Sequence, residues 1–225
     1  MGRMFVFFVF FFVCPALIRA QPDSTSPVRY VAVGDSYTMG EGADLKGSWP
    51  VILTLHLQRQ GVPIQLKKIL ARTGWATSEA IVYALPGFQE LKPNFATLMI
   101  GVNDWVRGVS PEEFRKRLAI LIDQMLKSLP DKKNLVVVTI PNFSVTPSAK
   151  QYARGRDIAA GLSAFNAIIK SEAALRHLEV VDIFPVSQEM QNDSTLVAED
   201  GLHPSAREYA LWEQWIFPAA YGILK

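Results

Sequence analysis

The sequence is poor in the residues that build disulfides, thiol catalysts and cysteine-based metal sites. Its 225 residues include one cysteine, Cys14, and three histidines. A single cysteine cannot form an internal disulfide, and Cys14 lies in an N-terminal segment that we expect to be removed. The mature chain is therefore not expected to use a thiol nucleophile or a cysteine-based metal site.

The sequence also lacks an excess of either charge. It carries 23 lysines and arginines against 21 aspartates and glutamates. Arg3 and Arg19 both lie in the N-terminal segment, and its removal would leave 21 residues of each sign. Domains that bind nucleic acid need a basic excess. The balance therefore argues against nucleic acid as a partner.

The N-terminal apolar run is too short for a bilayer-spanning helix. It extends from Phe5 to Ile18, which is 14 residues, whereas about 20 are needed. An arginine precedes the run and the small Ala20 follows it, which is typical of a cleaved secretory signal peptide over residues 1–20. An uncleaved membrane anchor is the alternative. Residues 21–27, polar and flanked by prolines, predict a short flexible leader.

From residue 28 onward, apolar segments of strand length alternate with helical patterns. Several strand segments are nearly continuous in Val, Ile and Leu, as expected for strands that are covered on both faces. The predicted strands are 28–34, 64–71, 95–101, 134–140 and 178–184, and the predicted helices are about 48–60, 77–85, 111–128, 156–175 and 205–217. The alternation predicts one domain over residues 28–225, a three-layer α/β/α sandwich around a central, mostly parallel five-stranded sheet.

Ligand sites in such sheets form at the carboxyl ends of the strands, so the loops that follow the strands carry the functional information. The first loop, "GDSYTMGEG", places Ser36 directly after a strand. A nucleophile, a turn residue and a phosphate-loop residue all fit this stretch alone. A phosphate loop needs a lysine after its last glycine, which is missing here. Asp35 is expected to hold the loop by accepting backbone hydrogen bonds.

The loop before the last predicted helix, "EDGLHPSAREYA", places Asp200 three residues before His203. A carboxylate at this spacing can hold one imidazole nitrogen and leave the other free to act as a general base. A helix cap at Asp200 beside a solvated His203 explains the same residues. The other two histidines, His56 and His177, are interpreted as structural.

Two further loops carry candidate donors for a developing negative charge. Asn103, in "GVNDWVRG", offers a side-chain amide at the end of a strand. Gly74, in "ARTGWATSE", offers a backbone N–H that no Cβ obstructs. Each residue alone is also ordinary turn chemistry.

Taken together and in this order, "GDSYTMGEG", Gly74, "GVND" and "DGLHP" resemble the SGNH hydrolases, the GDSL-type esterases and lipases. The resemblance extends from about residue 29 to the C-terminal helix and implies an SGNH, flavodoxin-like fold. The block around Gly74 departs from the pattern, because it lacks the asparagine that many members carry nearby.

The resemblance implies a serine hydrolase of carboxylic esters that uses no metal or cofactor, and the predicted signal peptide would make it secreted or periplasmic. Ser36 would be the nucleophile, His203 the base and Asp200 its support. The backbone N–H groups of Ser36 and Gly74 and the side chain of Asn103 would form the oxyanion hole. Short-chain esters, lysophospholipids and O-acetylated carbohydrates are the substrates it implies.

Aromatic residues fall on or near the predicted rim of this site: Tyr37, Trp75, Trp105 and Phe143. They would line an acyl pocket or stack against sugar rings, or they would simply cover the core. The competing function is an exported SGNH-like module that binds glycan or lipid without turnover. A module of that kind has no physical need for all of Ser36, Asp200 and His203.

Overall fold

A computed structural model describes residues 1–2 and 26–225 of the chain. Residues 3–20 of the predicted signal peptide and residues 21–25 of the leader therefore lie outside the described residues. In the part of the chain that the structure describes, every helix is too short or too polar to cross a bilayer.

Five strands form one sheet in the order β2-β1-β3-β4-β5, and every neighbouring pair is parallel. The strands are β1 Val28–Gly34, β2 Ile64–Ala71, β3 Phe95–Met99, β4 Leu135–Val138 and β5 Glu179–Val181. The prediction of five strands is confirmed, and the sheet is wholly rather than mostly parallel. The predicted fourth strand was too long at its end, because Ile140 exchanges two hydrogen bonds, of 2.7 and 2.9 Å, with the Asn166 side chain instead of a strand.

Helices cover both faces of the sheet. They are α1 Ser36–Met39, α2 Trp49–Arg59, α3 Thr77–Glu79, α4 Leu85–Leu91, α5 Val102–Arg107, α6 Pro111–Ser128, α7 Lys150–Ala153, α8 Ile158–Ala174 and α9 Ala206–Leu224. Helices α2 and α9 pack together on one face, and α4, α6 and α8 pack together on the other. The arrangement is the predicted three-layer α/β/α sandwich.

Helix α6 shows why the sequence forms these elements. The Ser110 hydroxyl accepts a hydrogen bond from the Glu113 N–H at 3.2 Å, and Pro111 occupies the first helical position, where it costs no hydrogen bond. The apolar face is buried against α8, where the Phe114 and Phe165 rings stack at 4.4 Å. The helix begins and ends where the sequence pattern predicts.

The sequence-based assignment was incomplete at two places. The predicted helix 77–85 continues to Leu91, with a π-helical turn over Ala80–Ala84 between α3 and α4. The predicted loop 101–110 contains helix α5. The first of these elements lies in the segment that follows β2, and the second lies in the segment that follows β3.

The edge of the sheet at which β1 and β3 end is the switch point of the topology. The chain leaves β1 for β2 on one side, then crosses back past β1 to β3 on the other side. Connections that diverge in this way open a crevice at the carboxyl ends of the two strands, where ligands bind in open α/β sheets. Ser36 lies two residues after the end of β1, and Asn103 lies four residues after the end of β3.

Candidate active site

Ser36 lies in a tight turn at the carboxyl end of β1. Asp35 caps helix α1 by accepting a hydrogen bond from the Tyr37 N–H at 3.0 Å. Ser36 is thus the first residue of the helix, where a backbone N–H has no intrahelical partner. Ser36 is 5% exposed, and it lines a small cavity. The turn therefore presents a hydroxyl and an N–H side by side at the sheet edge.

Two glycines bring this turn close to its neighbours. A Cβ on Gly34, the last residue of β1, would lie 2.5 Å from the Met99 carbonyl oxygen. Gly42 has a φ of +94°, and a Cβ there would lie 2.6 Å from the Pro204 carbonyl oxygen. Glycine alone permits both approaches. The loop after β1 consequently packs against β3 and against the segment that precedes α9.

Asp200 and His203 form a hydrogen-bonded pair in that segment. The His203 Nδ1–H donates to Asp200 Oδ2 at 2.6 Å, and Oδ1 accepts from the Leu202 and His203 N–H groups at 2.8 and 2.9 Å. Partial burial would raise the pKa of Asp200, but these hydrogen bonds outweigh burial and lower the pKa below 3.8. The ionised carboxylate fixes Nδ1 as the donor and leaves Nε2 available.

Ser36 and His203 share one cavity of about 50 Å³. Its lining consists of Ser36, Tyr37, Val102, Asn103, Val106, Phe143, Tyr152, Leu202 and His203. The Ser36 hydroxyl donates to no acceptor within residues 26–225, and such catalytic contacts are often long before a substrate binds. A larger surface groove of about 610 Å³ lies between α6 and α8, and none of the four sequence blocks lines it.

Helix α5 holds the loop that follows β2. Asn103 Nδ2 donates to the Trp75 carbonyl oxygen at 2.9 Å. The buried Asp104 carboxylate accepts from the N–H and the hydroxyl of Thr77 at 2.9 and 2.6 Å. Burial raises the pKa of Asp104, against the lowering effect of these two bonds. The Asn103 amide has a second hydrogen, which remains for a ligand in the cavity that Asn103 lines.

Gly74 has a left-handed backbone, with a φ of +79°. A Cβ there would meet nothing within 4 Å, so conformation rather than space favours glycine. Its carbonyl accepts a hydrogen bond from Arg107 at 2.5 Å, which also binds Glu79 at 2.7 Å. Among the described residues, the Ser36 and Gly74 N–H groups have no acceptor. Two backbone donors and the Asn103 amide are thus available at this edge.

The chain matches the model of the GDSL-like Lipase/Acylhydrolase family over residues 32–211. The protein belongs to this family. It is accordingly an esterase or acylhydrolase that acts on carboxylic esters. The match spans the blocks of Ser36, Gly74, Asn103 and His203. No curated protein sequence matches the chain significantly.

Solved structures confirm the fold of this GDSL-like hydrolase. A lipase/acylhydrolase from Enterococcus faecalis is 19% identical with a TM-score of 0.69, covering 88% of this chain and 97% of that one. A family 3 carbohydrate esterase from Clostridium thermocellum is 21% identical with a TM-score of 0.67, covering 89% and 100%. An acetylxylan esterase from Geobacillus stearothermophilus is 17% identical with a TM-score of 0.66, covering 87% and 94%.

The four aromatic residues singled out from the sequence of the GDSL-like hydrolase lie in three different places. Tyr37 and Phe143 line the cavity. Trp75 lines a separate groove beside β2, where it stacks on Tyr83 at 5.9 Å. Trp105 is only 4% exposed and lies in the core. Arg156 is 4.1 Å from its ring centre. Trp105 therefore fits the alternative that an aromatic residue covers the core, and Trp75 lies beside the cavity without lining it.

The structure of the hydrolase also brings residues to the cavity that sequence reasoning missed. Val102 and Val106 project from one face of α5, and Tyr152 and Leu202 join them. The four-residue spacing of the two valines is a helical signal within "GVNDWVRG" that was available in the sequence. Tyr152 and Leu202 carry no such signal, because their loops are brought together only by the fold.

Asp35 and His56 of the hydrolase have partners that explain their positions. Asp35 is buried, and burial together with the nearby charges of Asp104 and Glu41 raises its pKa to about 8, although the Tyr37 N–H lowers it. Its carboxyl group is therefore mostly protonated at neutral pH. His56 contacts Glu213 at 3.0 Å and does not line the cavity.

Proposed function

We propose that this GDSL-like hydrolase is an exported esterase that removes short acyl groups through Ser36, His203 and Asp200. The observation that carries the proposal is the cavity shared by Ser36 and His203, with Asp200 hydrogen-bonded to the other side of the imidazole. This arrangement provides a nucleophile, a base and a group that orients the base.

In the proposed reaction, the Ser36 hydroxyl attacks the ester carbonyl while His203 Nε2 accepts its proton. The Ser36 and Gly74 N–H groups and the Asn103 amide stabilise the negative oxygen that forms. The tetrahedral intermediate then releases the alcohol, which takes the proton from Nε2, and an acyl-serine remains. Water attacks the acyl-serine with His203 again as the base, and this step releases the carboxylic acid and restores the serine.

The size of the cavity supports short acyl groups. About 50 Å³ beside the nucleophile leaves room for a small group such as acetyl. The walls contributed by Val102, Val106, Phe143 and Leu202 are apolar and match a methyl or short alkyl group. Short-chain esters are therefore the favoured class among the substrates that the family resemblance implies.

O-acetylated carbohydrate is a second candidate substrate. The groove that Trp75 and Tyr83 line has a volume of about 400 Å³. It lies beside the loop that contains Gly74, and Lys68 and Arg72 also line it. A pair of stacked aromatic rings can serve as a platform for sugar rings. Two similar structures are named a carbohydrate esterase and an acetylxylan esterase.

Hydrolysis of p-nitrophenyl acetate, butyrate and octanoate by the purified protein tests the proposal. We expect the highest kcat/KM for acetate or butyrate. Ser36→Ala and His203→Ala should each lower kcat by at least about 10³-fold. His177→Asn is the matched control, because asparagine tolerates the left-handed φ of +55° at that position. It should retain wild-type turnover.

The competing binding module makes a different prediction. It would bind acetylated oligosaccharides or lysophospholipids without turnover, and Ser36→Ala would bind them as tightly as the wild type. A panel of these ligands, assayed for released acid and for binding, separates the two functions. Wild-type-like turnover in Ser36→Ala, or in His203→Ala, would refute the proposed mechanism.

A further inference from the structure

Glu41 connects three segments of the site. Its Oε2 atom accepts a hydrogen bond from the Thr73 hydroxyl, in the loop after β2. The same atom lies 3.8 Å from His203 Nε2. Its carbonyl oxygen accepts a hydrogen bond from the Tyr209 hydroxyl at 2.7 Å, which ties the backbone to α9. A carboxylate is thus held beside the imidazole nitrogen that would exchange protons with the substrate.

The negative charge of Glu41 has no cationic partner within the described residues. No lysine or arginine of residues 26–225 lies within 4.0 Å of it, and its side chain is 34% exposed. Its charge also reaches the neighbouring Asp35, whose pKa is raised mainly by burial and further by Asp104 and Glu41. A charged ligand near Nε2 would therefore experience this carboxylate directly.

The position of Glu41 relates it to the leaving alcohol rather than to the acyl group. The cavity that would receive the acyl group is not lined by Glu41. In contrast, His203 Nε2 would donate to the leaving oxygen at about 3 Å. Since Glu41 is 3.8 Å from Nε2, the leaving oxygen would lie within roughly 7 Å of the carboxylate. Charges at such separations near a protein surface still interact appreciably.

We propose that Glu41 selects the leaving alcohol by charge. Esters of neutral or cationic alcohols are accepted, and esters of alcohols that carry a carboxylate or phosphate close to the ester oxygen are disfavoured. The selection rests on the proposed function, because it takes His203 as the group that protonates the leaving alcohol. It assigns Glu41 a role in specificity and not in the chemical step.

Three alkyl acetates with the same acyl group, each with its substituent one or two carbons from the ester oxygen, test this selection. Their alcohols are glycolate, 3,3-dimethylbutan-1-ol and choline, which are anionic, neutral and cationic. Glu41→Gln removes the charge but keeps an oxygen that can accept from Thr73. We expect the ratio of kcat/KM for the anionic ester to kcat/KM for the neutral ester to be about tenfold higher in Glu41→Gln than in the wild type. The relative value for the cationic ester should fall, and both effects should shrink near 1 M salt, where the Debye length is about 3 Å.

Two control variants distinguish an effect of the Glu41 charge from an effect on the position of its loop. Thr73→Val keeps the carboxylate and removes its hydrogen bond, so it should preserve the wild-type ratios. Glu90→Gln removes an exposed charge from α4, close to the start of β3 and hence at the opposite edge of the sheet. It should preserve the ratios as well. If Thr73→Val reproduces the Glu41→Gln pattern, Glu41 acts through loop position and the proposal is wrong.

The remaining outcomes distinguish the two proposals. Hydrolysis of all three esters with equal ratios in the wild type and Glu41→Gln would overturn charge selection and leave the esterase standing. A wild-type protein that hydrolyses none of them, and whose Ser36 is not labelled by a neutral fluorophosphonate, would overturn the proposed function and the selection together.

Discussion

At the scale of single residues, Asn103 separates an SGNH-type site from one built only of backbone donors. Its amide is oriented by the 2.9 Å hydrogen bond to Trp75 and lines the cavity. Loss of one oxyanion donor typically costs about 10²–10³ in turnover, because the bond strengthens only as charge develops. Asn103→Ala should therefore lower kcat by about that factor and leave KM nearly unchanged, as measured by steady-state kinetics on a soluble ester.

Asn103→Asp is the informative companion variant. It has nearly the same size, but a carboxylate would repel the developing oxyanion, so it should be at least as inactive as Asn103→Ala. Thermal melts of both variants check the fold, since the bond to the Trp75 carbonyl is lost in each. A stable Asn103→Ala protein with kcat within a few-fold of the wild type would show that the amide is not an oxyanion donor.

Sequence reasoning at this scale succeeded where an interaction is local. The Asp200–His203 hydrogen bond closes over three residues, so residue type and spacing indicated it, although a helix cap beside a solvated His203 explained the same residues. The Asn103 bond to Trp75 joins two loops that are far apart in the chain, and neither loop specifies the other. For the same reason, Trp105 looked like a rim residue. Its burial depends on Gly161, where any Cβ would collide with the indole ring.

At the scale of elements, helix α9 carries a buried acid whose titration should affect stability. Glu208 is fully buried, and its Oε1 accepts from Trp212 Nε1 at 2.6 Å, while Oε2 has no partner among the described residues. Burial raises its pKa from 4.5 to about 7, against the lowering effect of the Trp212 bond. The native state therefore retains a proton that the unfolded chain releases between these values.

The sign of the effect follows from this difference in bound protons. Between pH 4.5 and 7 the unfolded chain binds fewer protons, so stability falls as the pH rises and levels off above pH 7. Glu208→Gln removes the titrating group. The free energy of unfolding should therefore fall between pH 4.5 and 7 by roughly 1–3 kcal/mol less than in the wild type. That corresponds to roughly 2–4 °C in Tm for each kcal/mol. Calorimetric melts from pH 5 to 8 measure it.

The exposed Glu90→Gln variant is the control for the melts. It should keep the wild-type slope, because its side chain lies on the surface of α4. The comparison concerns slopes, since the buried amide of Glu208→Gln changes the absolute Tm as well. Parallel curves for Glu208→Gln and the wild type would contradict the assignment of Glu208 as a buried, protonated group.

Elements differ in how far their sequence defines them. Helix α6 has its own cap, first-turn proline and apolar face, and both its ends were predictable. Helix α5 has six residues between Gly101 and Gly108, and these glycines favour the interpretation of a loop. The helix forms because Asp104 is fixed by Thr77 and because Val102, which is buried, and Val106, which is half-buried, line the cavity. Those tertiary contacts are not encoded in the segment itself.

At the scale of the whole molecule, the site depends on strand order. Strand–helix alternation predicts a parallel sheet, but no local pattern states that β1 lies between β2 and β3. That order makes the edge of β1 and β3 a crevice, and it brings the Ser36 turn beside the Asn103 helix. The four sequence blocks locate the loops, and the topology determines which of them meet.

The last prediction concerns the N-terminal segment, residues 1–20. Its apolar run and Ala20 predict export with cleavage that leaves Gln21 first. The structured domain begins with β1 at Val28, so the seven residues of the leader separate the predicted cut from the first strand and give a peptidase room to act. N-terminal sequencing of protein from the periplasm or medium should therefore begin at Gln21.

Ala20→Leu should block processing, because the residue before the cut must be small, whereas Ala16→Leu, within the apolar run, should not. An intact Met1 in exported protein, or membrane-bound chains that retain the run, would instead establish the uncleaved anchor.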